Sequence, residues 1–331
     1  MRNHKLREAA DQTQGVQPGK FIRLVGVTLL ATYILILIGS SVRASGAGMG
    51  CPDWPTCFGM LIPPTSVEQL PPDYQHIYAD QGYAETKFNA TKTWIEFGNR
   101  MASLVVGLLM LACLVCGLAR HARNRPLMLT LIAMLALTAF QAWMGAVVVA
   151  SHLHPLMVSS HMVLALAVIA CLHAMMQLAT PAPRLPNNRH LPWLFACGLV
   201  LLLQTGLGLQ LRQEVDLLSR VLADQRNEWI TALDSSFTIH MLFSLVALNL
   251  FAFTQFRLWQ DQQLRSCLGN WVRIWCAALV GNLLVGLGLW LFNLPAFLQP
   301  LHLLCASVQF GVIWHLLLFM LRTRAPGAGA T

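Results

Sequence analysis

Eight runs of apolar residues, each long enough to cross a hydrocarbon core, decide what this chain can become. A core of about 30 Å takes roughly 20 helical residues, and inside it every backbone N–H and C=O must be satisfied within the protein, which for long single runs means helix. The runs fall at 22–42, 94–119, 126–150, 156–179, 192–211, 236–258, 272–293 and 299–321. The expected fold class is an all-α polytopic membrane protein, with eight transmembrane helices arranged as two parallel-repeat four-helix bundles.

Charge orients the crossings. Fifteen Lys and Arg but only three acids, Glu8, Asp11 and Asp261, fall on the side that carries both ends of the chain, while the opposite side holds seven basic residues and eleven acids. By the positive-inside rule the ends are expected in the cytoplasm. The net charge of +8 therefore reports orientation in a lipid bilayer and argues against a nucleic-acid partner, which needs its basic residues clustered on one soluble face. The run from Val25 to Val42 is longer than the core of a cleaved leader, so it is read as a retained first helix after a cytoplasmic tail.

The layout is duplicated. A tail at 1–21 precedes a first four-helix repeat at 22–180, which carries a long outer loop at 44–93; a Pro-rich, basic linker at 181–191 leads to a second repeat at 192–322 and a tail at 323–331. A second outer loop is expected at about 212–235. Four helices precede the repeat, so the two halves keep one orientation.

The chemistry sits in the repeat. His240 and His302 are 62 residues apart, Asn99 and His161 are also 62 apart, and both members of the first pair precede their counterparts by 141. Each lies near the outer end of a helix, and ionisable groups in a bilayer are functional candidates by default. Two neutral imidazoles from facing helices can supply both axial bonds to a haem iron, so His240 and His302 are read as a bis-histidine haem site. Asn99 is a poor iron ligand, which leaves His161 as the one protein ligand of the first half.

Glu96, Asn99 and Arg100 share a helix face, where Glu96 and Arg100 fit either a plain interfacial ion pair or an acid/base carboxylate tuned by its arginine. Arg43, at the end of the first helix, is suited to a haem propionate or to snorkelling at the interface. Cys51 and Cys57 fall in the outer loop and read as a disulfide, either a structural staple or part of the chemistry. His173 and His315 lie about 18–20 Å further along their helices and are not ligands of the same irons. His152 and His154 read as solvated loop residues, and Gly206, Gly208, Gly281, Gly286 and Gly288 as small residues for close helix contact.

Two segments carry a family resemblance. Val42-Arg-Ala-Ser-Gly-Ala-Gly-Met-Gly-Cys-Pro-Asp-Trp-Pro-Thr-Cys-Phe-Gly59 resembles the signature that follows the first helix in haem A synthases, the cytochrome oxidase assembly family, and Trp94-Ile-Glu-Phe-Gly-Asn-Arg100 resembles their second-helix motif. The resemblance implies oxidation of a ring methyl of haem O to a formyl group by successive hydroxylation in the bacterial inner membrane. It implies a permanent haem b on His240 and His302 and a substrate pocket with His161 as ligand, bounded by Asn99, Arg100 and Arg43. It also implies Glu96 as catalytic carboxylate, Cys51 and Cys57 as an outer disulfide, and haem O synthase as the supplier of substrate; the electron donor is left open. The chain departs from the family pattern at Asn99, where histidine is usual, at Met241 in place of arginine, and in a second outer loop without cysteines. An electron-transferring cytochrome b would want four axial histidines, and a haem-binding assembly factor without turnover would fit the duplication equally well.

Overall fold

A computed structural model describes residues 19–84, 86–181, 189–221 and 226–323. The expected 1–21 tail falls outside it but for residues 19–21, as do most of the 181–191 linker and the end of the chain beyond Thr323. The described residues are helical apart from connections, with one isolated bridge, Cys57 to Met60, and no strand.

Eight helices are long and apolar enough to cross a membrane. They are α1 (Lys20–Ala44), α2 (Ala90–His121), α3 (Arg125–Ala150), α4 (Pro155–Leu178), α5 (Leu191–Val221), α6 (Arg226–Gln260), α7 (Gln262–Leu291) and α8 (Leu298–Arg322). Their starts follow local chemistry. Asn89, Asn124 and Asp261 each accept a hydrogen bond from a backbone N–H of the first turn of α2, α3 and α7, satisfying donors a helix start leaves open. Pro126 and Pro155 sit in the first turn of α3 and α4, where the missing N–H costs nothing.

In the first half α1 packs on α2 and α4, α2 on α3, and α3 on α4; in the second, α5 packs on α6 and α8, α6 on α7, and α7 on α8. Each ring closes around its own core. Val25, Met110, Leu131 and Leu172 are buried in one, and Leu194, Leu258, Trp275 and Ile313 in the other. The halves meet where α8 lies against α1 and α4, which makes α8 the most enclosed of the eight helices. On the other helices large apolar side chains point outward, among them Leu108, Val115, Leu129, Leu199, Leu245 and Leu284, as a hydrocarbon solvent allows.

The repeat is also legible at atomic detail. Thr28 of α1 and Cys113 of α2 share a hydrogen bond of 3.3 Å; in the second half Cys197 of α5 donates to Thr254 of α6 at the same length, with the two residue types exchanged. The α3–α4 turn holds His152 and Leu153 in left-handed conformations, and the α7–α8 turn does the same with Asn293 and Leu294, 141 residues later.

One expectation fails. The segment 212–235 is not a long loop, since α5 continues to Val221 and α6 already begins at Arg226. Hydropathy sees only the part of a helix that lies in lipid. Beyond it, Val215, Trp229 and Leu233 pack with Leu294 into a small core of their own, so the polar stretch is an amphipathic helical hairpin extending past the membrane.

The 44–93 connection, in contrast, is a folded lid with brief helical turns at Tyr74–Ile77 and near Ala79–Gln81. Phe58 anchors it, with Tyr74, Tyr78, Tyr83 and Phe88 meeting its ring edge-on at 5.2–6.2 Å. Gly50 sets how closely the lid approaches α2. A Cβ there would lie 2.6 Å from the carbonyl carbon of Lys92 and 2.8 Å from the nitrogen of Thr93, and neither backbone atom can yield cheaply. Gly50→Ala is therefore expected to cost about 1–3 kcal/mol and to open the lid to protease, read as a lower Tm in detergent and faster cleavage within 52–88; unchanged values for both would exclude this docking.

Candidate functional site

The four positions singled out by the repeat stand on α2, α4, α6 and α8, and each faces a glycine of a neighbouring helix. A Cβ added to Gly39 would lie 3.5 Å from Asn99 Oδ1, to Gly145 3.7 Å from His161 Cε1, to Gly208 3.3 Å from His240 Cε1, and to Gly286 3.2 Å from His302 Cε1. A Cβ would sit in ordinary contact at Gly39 and Gly145, whereas at Gly208 and Gly286 the histidine would have to give by a few tenths of an ångström. In the second half the His240 and His302 rings stand 6.4 Å apart, centroid to centroid, with their planes at 63°.

Unpaired buried polar atoms occur at these places, as they do elsewhere at Gln255 Nε2 and Gln309 Oε1. Asn99 Oδ1, His161 Nδ1 and His302 Nδ1 are buried with no partner among the described residues, and so are Gln141 Oε1, Gln204 Oε1 and Asn282 Oδ1 beside them. The amides of Gln141 and Gln204 hold the backbone of the histidine helices, donating to His161 O at 2.9 Å and His240 O at 3.2 Å. Buried polar atoms without partners cost about 1–3 kcal/mol each. Collected at matched positions of two bundles, they form sites able to take a polar or metal-bearing ligand.

Over the first half lies the lid. Cys51 and Cys57 form a disulfide, and Glu96 is buried directly beneath it. Glu96 Oε1 accepts from Arg100 Nη2 at 2.5 Å, and Oε2 accepts from the Cys51 N–H at 2.9 Å. Arg100 also donates to the carbonyls of Asp53 and Thr56 at 2.7 and 2.8 Å. The Asp53 carboxylate closes the loop from within, accepting from the Thr56 hydroxyl and from the N–H groups of Phe58 and Gly59. Tyr83 donates to Met49 O at 2.8 Å; burial holds its phenol well above the usual range, and the charges of Glu96 and Asp53 push the same way. The ion pair expected from the sequence is present, and the same arginine holds both the carboxylate and the loop.

A sequence model of the family described as cytochrome oxidase assembly protein matches residues 22–314. The chain belongs to this family. Among individual relatives, a heme A synthase of Shewanella oneidensis is 32% identical over 149 residues, 45% of this chain and 42% of its own. One from Allorhizobium ampelinum is 27% identical over 203 residues, 56% of this chain and 54% of its own, and one from Symbiobacterium thermophilum is 43% identical over a stretch of 51. The matched stretches thus span about half the length of the first two relatives, or less.

The structure gives Arg43 an internal partner. Its guanidinium pairs with Asp216 of α5, which is also held by Arg212 at 2.9 Å; Arg212 in turn donates to Ser159 Oγ at 3.0 Å and Pro155 O at 3.1 Å. Two arginines sharing one carboxylate leave a net positive charge where the outer ends of α1, α4 and α5 meet. Asp216, Arg212, Asp53, Gln141 and Gln204 were not foreseen from the sequence, and Gly208 and Gly286 were read only as helix-packing residues. Part of the signal was there: Gly145 and Gly286, like Gln141 and Asn282, obey the 141-residue offset of the histidines. Gly39 and Gly208 are 169 apart, because the first lid is longer than the second connection, so a single offset misses them. Arg100→Ala removes one partner of a buried ion pair and three carbonyl contacts, to Cys51, Asp53 and Thr56, and is expected to cost about 3–5 kcal/mol and to speed tryptic cleavage after Lys87 and Lys92, which are already exposed on folded backbone; a Tm within error of the parent would show that the clamp is not what holds the lid.

Proposed function

We propose that the protein is a haem A synthase, oxidising a ring methyl group of haem O to the formyl group of haem A. The observation that carries this reading is the facing pair His240 and His302 in one half and the same frame, with Asn99 for one imidazole, in the other. Metal–imidazole bonds of about 2.0–2.1 Å place the two donor nitrogens of one shared ion about 4 Å apart, and ring centroids 6.4 Å apart suit that arrangement. The unpartnered His302 Nδ1 and the space kept by Gly208 and Gly286 agree with a planar ligand between these helices.

On this reading the second half, 192–322, keeps a haem b on His240 and His302, and that group supplies one-electron redox capacity when bound. The first half, 22–180, receives haem O, with His161 as the ligand to its iron. Asn99 faces the same pocket with an unpartnered amide oxygen and offers a hydrogen bond where its counterpart offers an axial bond. Glu96 is the acid/base group. Arg100 and the Cys51 N–H hold its two oxygens, so a change in its protonation is felt by both the arginine and the lid. Arg43 and Arg212 stand at the rim for the propionates, with Asp216 as their internal substitute.

The excess of Lys and Arg on the terminal side orients the chain with its ends in the cytoplasm of a bacterial inner membrane and its sites toward the outer leaflet. Haem O then comes from a haem O synthase in the same bilayer. Expression beside a haem O supply, followed by extraction and chromatography of the haems, is expected to yield haem A; haem b alone would make the protein an electron carrier, and no retained haem would make it an assembly factor. Asn99→His is expected to convert the spectrum of the haem O-loaded first half to a bis-imidazole type. An unaltered spectrum would remove Asn99 from the pocket.

A further inference from the structure

At the end of the bundle opposite these sites, four side chains form a buried chain across the junction of the halves. Tyr33 Oη of α1 lies 3.3 Å from His173 Nε2 of α4, His173 Nδ1 lies 3.2 Å from His315 Nδ1 of α8, and His315 Nε2 lies 2.6 Å from Gln177 Nε2. Trp271 of α7 stacks on the His315 ring at 4.0 Å and 27°. Gly311 makes the crossing possible, since a Cβ there would collide with Tyr33 Oη and His173 Nε2. His173 is fully buried and His315 is 5% exposed.

Such a chain does more than fasten two bundles. Each internal member both donates and accepts, so its hydrogens can run from Tyr33 toward Gln177 or the reverse, with Gln177 turning its oxygen or its nitrogen to His315. Polar groups at this depth of a bilayer are costly and are functional candidates by default.

A cavity opens beside His315 and Gln177. Its volume is about 200 Å³, and its walls include Trp271, Phe319, Ile22, Thr180 and Cys267. Drug-sized sites run about 300–1,000 Å³, so this one takes a single substituted ring and excludes a porphyrin. Cys267 is exposed and Ile22 and Trp271 half-buried, so the cavity reaches the surface. Its lining mixes apolar and aromatic residues, Ile22, Trp271 and Phe319 among them, with the polar Gln177, Thr180 and His315.

We propose that this cavity binds the head group of a lipid-soluble hydroquinone, the reductant that the haem reading requires; the electron acceptor, though not the binding, rests on that reading. Both O–H bonds of the hydroquinone break. Both protons leave past Thr180 to water, the two electrons go singly to one-electron acceptors, which the haem reading would supply, and the quinone departs. A latch joining the halves would need the hydrogen bonds but neither the open cavity nor the ring stacked at its edge.

The test uses the full chain in detergent with decylubiquinone and its reduced form as probes. Equilibrium dialysis is expected to show saturable binding of decylubiquinone that weakens at least tenfold in Cys267→Phe, which fills the cavity from an exposed position; Thr180→Phe is a second variant should the first fail to fold. Under anaerobic conditions decylubiquinol is expected to reduce the bound haem, at least tenfold more slowly in either variant, while dithionite reduces all forms alike. Binding that never saturates, or is equal in parent and both variants, reflects partition into detergent and overturns the proposal. A protein that dialysis shows to bind the quinone but that holds no haem would instead sink the haem reading and leave the cavity standing.

Discussion

A hydrocarbon solvent offers no partner to an unpaired polar group, and the arrangement of the eight helices follows from how each such group is satisfied. Most hydroxyls turn back on their own helix. Thr28, Thr32, Thr138, Thr205, Thr254 and Ser307 each donate to the carbonyl four residues earlier, a bond that needs no neighbour. Thr28 and Thr254 also meet a cysteine on the adjacent helix, which fixes α1 against α2 and α5 against α6 in the same register. Against that background the unpartnered atoms of Asn99, His161 and His302, and of the amides beside them, mark positions where the fold leaves capacity for something other than itself.

The same accounting explains the lid. Residues 45–89 leave the membrane and must fold with little apolar material, so the loop is tied by a disulfide, by one aromatic cluster around Phe58, and by the guanidinium of Arg100. Arg100 is paired because Glu96 is there, and Glu96 is enclosed because the lid covers it. The carboxylate, the arginine and the disulfide loop are therefore one unit, and a change in any of them reaches the other two.

Much of this was legible in the chain before any coordinates. Long apolar runs determine helix number because the bilayer demands it, and the 62-residue spacing brought out Asn99, His161, His240 and His302 because helices of equal length and short turns preserve depth. What escaped notice lay outside the membrane or across unequal connections. The hairpin of α5 and α6 has its apolar residues at Val215, Trp229 and Leu233, in a stretch too polar for a hydropathy window, and its helical character comes from packing on Leu294. Arg43 finding Asp216, and His173 finding His315, are contacts between halves, and no internal repeat encodes how two copies dock.

The halves differ most in what closes them, and this bears on the division of labour proposed for them. Above His240 and His302 the cover is made of continuous helix, α5 and α6 running on past the bilayer with Val215, Trp229 and Leu233 packed on the α7–α8 turn. Opening it would mean breaking helical backbone bonds together with an apolar core, a cost suited to a ligand that stays. Above His161 and Asn99 the cover is the lid, whose grip on α2 is largely polar: the Arg100 contacts, the Cys51 N–H on Glu96, and the Thr93 hydroxyl on Gly50 O at 2.8 Å. Bonds to charged groups contribute about 1.5–3 kcal/mol each, yet they can be exchanged for bonds to water without breaking helical backbone. The two halves share one frame, and the unequal connections above them fit the proposed division, one cover built of helix and apolar core and the other tied down by exchangeable polar contacts.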